Sequence, residues 1–282
     1  MKTPNAPGAA GHLERRPAAT MADVARRAGV SVTTVSFVVN GTKHVAPKTA
    51  ARVRTAMQEL HYQRNALARA LASQRSHILA LLFPALDRRL GRTDLTFITA
   101  AVTAAAKRGY HLVIWPIGQD AGQLSELLAA RLADGVLVME VTLEDARVAL
   151  LRQAGVPFTM IGRTRDLTGL SYVDVDFELA TSEALDHLRG LGHTRIVLVL
   201  EDLAGTPMRD YGPHVRVRST YEEEMRRHGL SPQILYCAAT SDGGRRAAQE
   251  ILAEAPDTTA VVALGDDVAN GILNEFHRLG RR

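Results

Sequence analysis

The sequence predicts an all-α helix-turn-helix head, a hinge helix, and an α/β body of two lobes built on parallel, doubly wound sheets. Three observations predict it. Two short amphipathic helices, each with its punctuation, stand between Thr20 and Asn40. From Ile78 onward, short apolar runs alternate with amphipathic helices, which implies strand-helix-strand crossovers and hence parallel pairing. Charge is divided between the two parts: residues 1–77 hold twelve Lys and Arg against three acids, a net of +9, and the remainder is −5, within a formal total of +4.

In the head, Thr20 and Asp23 fit a capping box, Gly29 stops the first helix and Ser31 caps the second. Val24, Ala25, Ala28, Val30, Val35, Val38 and Val39 would pack the pair into a small core. The second helix of such a unit enters the major groove and presents its N-terminal side chains to base edges, here Val32, Thr33, Ser36 and Phe37. Asn40-Gly41 is a turn, and Pro47 suits the first position of a third helix to Leu60 with Val53, Met57 and Leu60 on one face. Asn65–Ala72 is an Ala/Leu/Arg helix too short to stand alone in water, expected to fold when a surface orders it. A basic head on a mildly acidic body fits a polyanion-binding module attached to a separate domain. Solvated Arg-rich helices share that composition, but here the excess is confined to the motif and its flanks.

In the body, Ile78–Phe83, His111–Trp115, Gly135–Met139, Pro157–Ile161 and Tyr172–Val175 read as strands, with helices at Leu95–Arg108, Gln123–Arg131 and Leu143–Ala154. A second series runs through the helix Phe177–Leu191, strand Arg195–Leu200, helix Val217–His228, strand Gln233–Cys237, helix Gly243–Ala255, strand Ala260–Leu264 and helix Asp267–Leu279. Five strands in one half and three in the other, with a further strand expected after Gly280-Arg281-Arg282, make the second lobe read as truncated. A chain ending there is expected to fold poorly, aggregate or fail to respond to a ligand. The boundaries expected are a disordered tail at 1–19, the head at 20–64, hinge and linker at 65–77, and lobes at 78–176 and 177–282. Parallel sheets of this kind hold ligands beyond the carboxyl ends of their strands.

Cys237 is the single cysteine and cannot form an internal disulfide, which fits a reducing compartment, and an inert buried thiol is favoured over a nucleophile. Residues 1–19 contain no apolar run, so they resemble neither a signal peptide nor a membrane span. A soluble cytoplasmic protein is expected, without membrane partners. The chain shows no Gly-rich phosphate loop, paired metal-ligand spacing or nucleophile elbow, and His187 and His193, six apart around Gly190 and Gly192, suit a helix end better than zinc. No cofactor, metal or catalytic residue is expected, and hence no enzyme.

The runs Asp23-Val-Ala-Arg-Arg-Ala-Gly-Val-Ser, Thr34-Val-Ser, Val38-Val-Asn40, Leu60-His-Tyr62 and Asn65-Ala-Leu-Ala-Arg-Ala-Leu71 resemble the lactose-repressor and galactose-repressor family of bacterial transcription regulators. Asp134-Gly-Val-Leu-Val, the run from Gly155 to Arg163, Val173-Asp-Val-Asp176 and the run from His187 to Ile196 resemble its effector-binding domain, which has a periplasmic-binding-protein-like fold. The resemblance implies a repressor that binds a palindromic double-stranded operator as a homodimer and answers to a small effector, a sugar or nucleobase. Thr20, Ser31, Val32, Thr33, Thr34, Ser36, Phe37, Asn40, Asn65, Ala68, Arg69 and Leu71 would then contact DNA. Leu71 would wedge a minor-groove step. Phe37 either reads a base or packs on the third helix, and both remain open. Phe83, Arg163, Arg218 and Asp266 fall at or near effector positions; Asp266 is equally a helix N-cap and Arg163 a loop cation. Val217 stands where the family usually has arginine, Thr220 where it has glycine and Gly265 where it often has asparagine, so specificity does not transfer. The competing function is a small-molecule binding protein with a vestigial head.

Overall fold

The computed structural model describes residues 19–62, 75–83, 91–118 and 121–281. The tail expected at 1–19 therefore lies outside the described residues but for Ala19, as do the hinge positions Asn65, Ala68, Arg69 and Leu71. The chain divides into two compact units between Gln74 and Arg75.

The first unit holds three helices: α1 (Met21–Ala28), α2 (Val32–Asn40) and α3 (Pro47–Glu59). Their ends are set by side chains. Asp23 N donates to Thr20 Oγ1 at 3.2 Å and Thr20 N donates back to Asp23 Oδ2 at 3.0 Å, the reciprocal box that satisfies two orphan donors. Gly29 adopts φ 62°, ψ 44°, a left-handed end that a side chain would strain, and Arg52 of α3 donates to the carbonyls of Ala28 and Gly29. Thr34 N donates to Ser31 Oγ at 3.1 Å, so Ser31 caps α2. Val24, Ala25, Ala28, Val35, Val39, Val53 and Ala56 form the buried centre, with Val30, Val38, Met57 and Leu60 packed against it. The core expected from the apolar spacing is the one found.

In the second unit, one lobe carries a five-stranded parallel sheet in the order β2-β1-β3-β4-β5, from β1 (Ile78–Leu82), β2 (His111–Trp115), β3 (Gly135–Val138), β4 (Phe158–Ile161) and β5 (Tyr172–Val173). Helices α4 (Arg92–Lys107), α5 (Ala121–Ala129) and α6 (Ala146–Ala154) alternate with these strands. Leu82 pairs with both Trp115 and Val138, so β1 is central and its run of leucines is buried on both faces. The other lobe carries a three-stranded parallel sheet, β7-β6-β8, from β6 (Ile196–Glu201), β7 (Gln233–Cys237) and β8 (Ala260–Ala263). Its helices are α7 (Phe177–Gly190), α8 (Gly212–Arg227), α9 (Ser241–Glu254) and α10 (Asp266–Arg278). Leu198 and Leu200 face α7 and α8, whereas Val197 and Val199 face α9 and α10, the period-two alternation of a sheet covered on both sides.

Three helix starts differ from expectation by three residues or more. α4 begins at Arg92, three residues before Leu95, because Asp94 accepts from Gly91 N at 3.0 Å and fixes the first turn. α6 begins at Ala146, three residues after Leu143, because Asp145 is its cap and Thr142 is drawn into an antiparallel bridge with Tyr211. α8 begins at Gly212, five residues before Val217, since Pro213 is pre-set for a first helical turn and its missing N–H is no loss there. The Thr142–Tyr211 bridge and the bond from Gly212 N to Val141 O at 3.3 Å join the two lobes at the base of α8.

Candidate nucleic-acid interface and effector site

On α2 the positions 32, 33, 36, 37 and 40 fall on one side of the helix, and Val35 and Val39 are buried on the other. Val32, Thr33 and Asn40 are exposed and Ser36 and Phe37 half-buried. Asn40 Nδ2 donates to Ser36 Oγ at 3.1 Å along this face. Phe37 lies outside the side chains packed around the three-helix centre; Lys43 Nζ sits 5.3 Å from its ring centroid instead. Thr20 and Ser31 cap α1 and α2, and the Thr34 hydroxyl bonds to that of Ser31 at 2.9 Å; helix N-termini favour nearby anions.

The basic side chains of the head are unequal in freedom. Arg26 is paired with Asp23 at 3.1 Å, Arg27 with Glu59 at 2.7 Å, and Arg52 is used on α1 carbonyls. Lys43, Lys48 and Arg54 have no ion pair among the described residues.

The four expected effector residues each make contacts of their own. Phe83 is completely buried with Leu81, Ile98 and Met139, so its ring belongs to the first lobe's core. Arg163 is ion-paired to Asp174 at 3.7 Å and to Glu178. Asp266 is the first residue of α10 rather than its cap, which is Gly265, and it accepts from Thr93 Oγ1 of α4 at 3.4 Å, across the lobes. Arg218 lines a cavity. That cavity, of about 370 Å³, lies beyond the carboxyl end of β6 and is bordered by Glu201, Asp202, Arg209, His214, Arg218 and Tyr236. β6 is the strand flanked on both sides by later ones, the position where α/β sheets hold ligands.

Two features here escape sequence reading. Arg216, buried on α8, sits 2.8 Å from Asp174 Oδ2 and 3.5 Å from Glu178 Oε2, with its guanidinium 5.1 Å over the Phe177 ring. The angles of those contacts fall off the hydrogen-bonding direction, so the attraction to the carboxylates is Coulombic. Arg163, Arg216, Asp174 and Glu178 thus form one network from three separate stretches of chain. Second, a Cβ at Gly265 (φ 106°) would stand 2.9 Å from Glu201 Oε1; the space that an asparagine would need there is taken by Glu201. Burial raises the Cys237 thiol, helped by the carboxylates of Glu201 and Glu250, which suits an inert sulfhydryl.

The head, residues 20–65, matches the model of bacterial regulatory proteins of the lacI family, and residues 185–282 match a periplasmic binding protein-like domain. The transcriptional regulator CelR of Thermobifida fusca is 31% identical over 279 residues, covering 96% of this chain and 80% of that protein. The chain belongs to the lacI family. This lacI-family chain is a DNA-binding transcriptional regulator with an effector-type body, and two solved structures share its fold across both parts. One is the lac repressor dimer bound to operator and an anti-inducer, at a TM-score of 0.79 and 26% identity, covering 94% of this chain and 79% of that one. The other is a CelR-cellobiose complex, at a TM-score of 0.61 and 29% identity, covering 95% and 80%. Among the described residues no helix is long and apolar enough to cross a membrane, and no three His, Cys, Asp or Glu side chains cluster as metal ligands.

Proposed function

We propose that this regulator is a cytoplasmic repressor, without catalytic activity, that binds a palindromic operator as a homodimer and is controlled by a saccharide. The capped α2 with its outward face of Val32, Thr33, Ser36, Phe37 and Asn40 carries the reading, since every feature that a major-groove helix needs is present and none is spent on the core. Ser31, Thr34 and Thr20 would hold phosphates through their caps and adjacent amides. Asn65, Ala68, Arg69 and Leu71 would contact the minor groove at the operator centre, Leu71 as the wedge. Support for a sugar comes from the cellobiose held by CelR, and for a dimer on an operator from the lac repressor.

Selection from a random duplex library tests this. The full chain should enrich an inverted repeat, and Leu71→Ala should keep the half-site preference while losing affinity and reducing DNA bending. Failure to enrich any repeat would overturn the regulator reading, and unchanged bending would remove Leu71 from the wedge.

A further inference from the structure

We infer that Asp134 is a positioning residue for operator recognition: by holding Ser76 and His77 it sets the length of the tether between head and body, and with it the half-site spacing that the two heads of a dimer accept. This rests on the dimeric-operator reading above and names a residue that sets its geometry.

The division between the two units falls between Gln74 and Arg75, immediately before a clamp on the entering chain. Ser76 N and Ser76 Oγ both donate to Asp134 Oδ1, at 2.7 and 2.8 Å, and His77 N donates to Oδ2 at 3.0 Å. Asp134 N donates in return to Ile78 O at 2.8 Å, and on the other flank His111 N donates to His77 O at 2.8 Å. The residue before β3 and the first residue of β2 thus grip the chain from both sides as it enters β1. Burial works against the charge on Asp134, yet the hydrogen bonds from Ser76 and His77 outweigh it and hold the carboxyl below its ordinary value. Bonds to a charged acceptor are the stronger kind, and here both carboxylate oxygens are used.

His77 carries the mark of a position imposed by its surroundings. Its φ of 56° lies in the left-handed region, which a bulky side chain disfavours, and such strain persists only where neighbours over-determine it. The ring packs against Tyr110 with 5.3 Å between centroids, and its Nδ1 is buried without a hydrogen-bond partner among the described residues. Strain therefore falls at the point where the chain leaves the body for the head.

Tether length is what the clamp controls. Releasing residues 75–77 would add three residues to the tether, roughly 10 Å at full extension. Duplex rises about 3.4 Å per base pair, so that slack equals about three base pairs of half-site separation, and each base pair also turns a half-site by about 35°. A dimer with a fixed tether meets one spacing well, whereas slack lets it reach several at a lower effective concentration.

Affinity titrations of the full chain test this on the inverted repeat that the wild type enriches, with its half-sites moved apart or together by one to three base pairs, and on a duplex carrying a single half-site. The wild type should favour one spacing by about tenfold or more, and Asp134→Ala should narrow that preference to about threefold or less while single half-site affinity holds. Ser76→Ala, which leaves both backbone donors in place, should narrow it partway, and Ser76→Thr, which keeps the hydroxyl, should retain the wild-type profile. Where Asp134→Ala melts below the assay temperature, Ser76→Ala decides the comparison. A wild-type spacing profile in the variants lacking the carboxylate or the hydroxyl, or the same fractional loss at every spacing and on the single half-site, would leave Asp134 a merely structural role and overturn the assignment. So would a wild type indifferent to spacing. A wild type that enriches no inverted repeat would instead count against the dimeric-operator reading.

Discussion

Phe37 shows how much a single position decides. The base-reading positions proposed for α2 are Val32, Thr33 and Phe37, with one hydroxyl among them. Apolar groups contact the thymine methyl but cannot pair with guanine O6 and N7 as arginine does. With the ring outside the core and Lys43 over it, Phe37→Arg should leave the head folded and move the preferred base at its position toward guanine, a change worth roughly 1–3 kcal/mol in discrimination. Selection from random duplexes with both proteins checks this, and an identical half-site would show that Phe37 reads nothing. Glu275 of α10 offers a second single-residue test. Hydrogen bonds from Arg278 and Gln249 hold its carboxyl at about 2, below its ordinary 4.5. A depressed acid stabilises the fold above the unfolded value and loses that contribution as pH falls from about 4.5 through about 2. Glu275→Gln should therefore flatten the acid limb of the melting curve and leave neutral-pH behaviour less affected by titration; a wild-type acid limb in the variant would refute this.

At the scale of elements, α8 is the piece that looks two ways. His214 and Arg218 line the cavity, and Arg216 between them turns to Asp174 and Glu178. Removing one partner of a buried charge pair strands the other, at roughly 3–5 kcal/mol. Arg216→Met should approach that loss, whereas Arg163→Met, at a more exposed member 3.7 Å from the same carboxylate, should cost about 1 kcal/mol. Denaturant unfolding of the two variants checks the order, and equal effects would show that the network is not centred on Arg216. The α9–α10 contact makes a sharper demand. A Cβ at Gly271 would clash with the carbonyl of Ser241 and the backbone of Arg245, so Gly271→Ala should separate the helices and destabilise the second lobe in denaturant unfolding, although at an exposed helical site the same change stabilises by roughly 1 kcal/mol.

These elements also divide what the sequence made legible from what it did not. Thr20, Asp23, Gly29 and Ser31 act within three or four residues of themselves, so their roles were readable from spacing alone. The apolar strands were readable because burial on both faces leaves no polar alternation. Arg163, Asp174, Glu178 and Arg216 meet only after the lobes fold, and nothing local distinguishes Arg216 from its neighbour Arg218. Their opposite orientations follow from a helix start at Gly212 that was expected five residues later. The cavity was missed for the same reason: Arg209 comes from a loop and Tyr236 from a strand whose pairing with β6 is non-local.

At the scale of the whole molecule, charge is the property that separates the two units, and it leads to a quantitative expectation. Net charge of +8 through residue 74 against −4 beyond it means that a polyanion is attracted by one unit and mildly repelled by the other. Within the described head, Arg26, Arg27 and Arg52 are engaged by their own protein, so Lys43, Lys48 and Arg54 are the cations with no ion pair there. Each phosphate neutralised releases counterions and contributes about −0.9 to the slope of log affinity against log salt. Three such contacts per head, doubled in the proposed dimer, give a slope of about −5. Lys48→Met should make it shallower by about 2 in the dimer, whereas Arg27→Met, which mainly removes a partner of Glu59, should change it far less. Duplex titrations at several salt concentrations read the slopes directly. Binding independent of salt, or equal slopes for the two variants, would mean that the free cations of the head are not the groups that meet the phosphates.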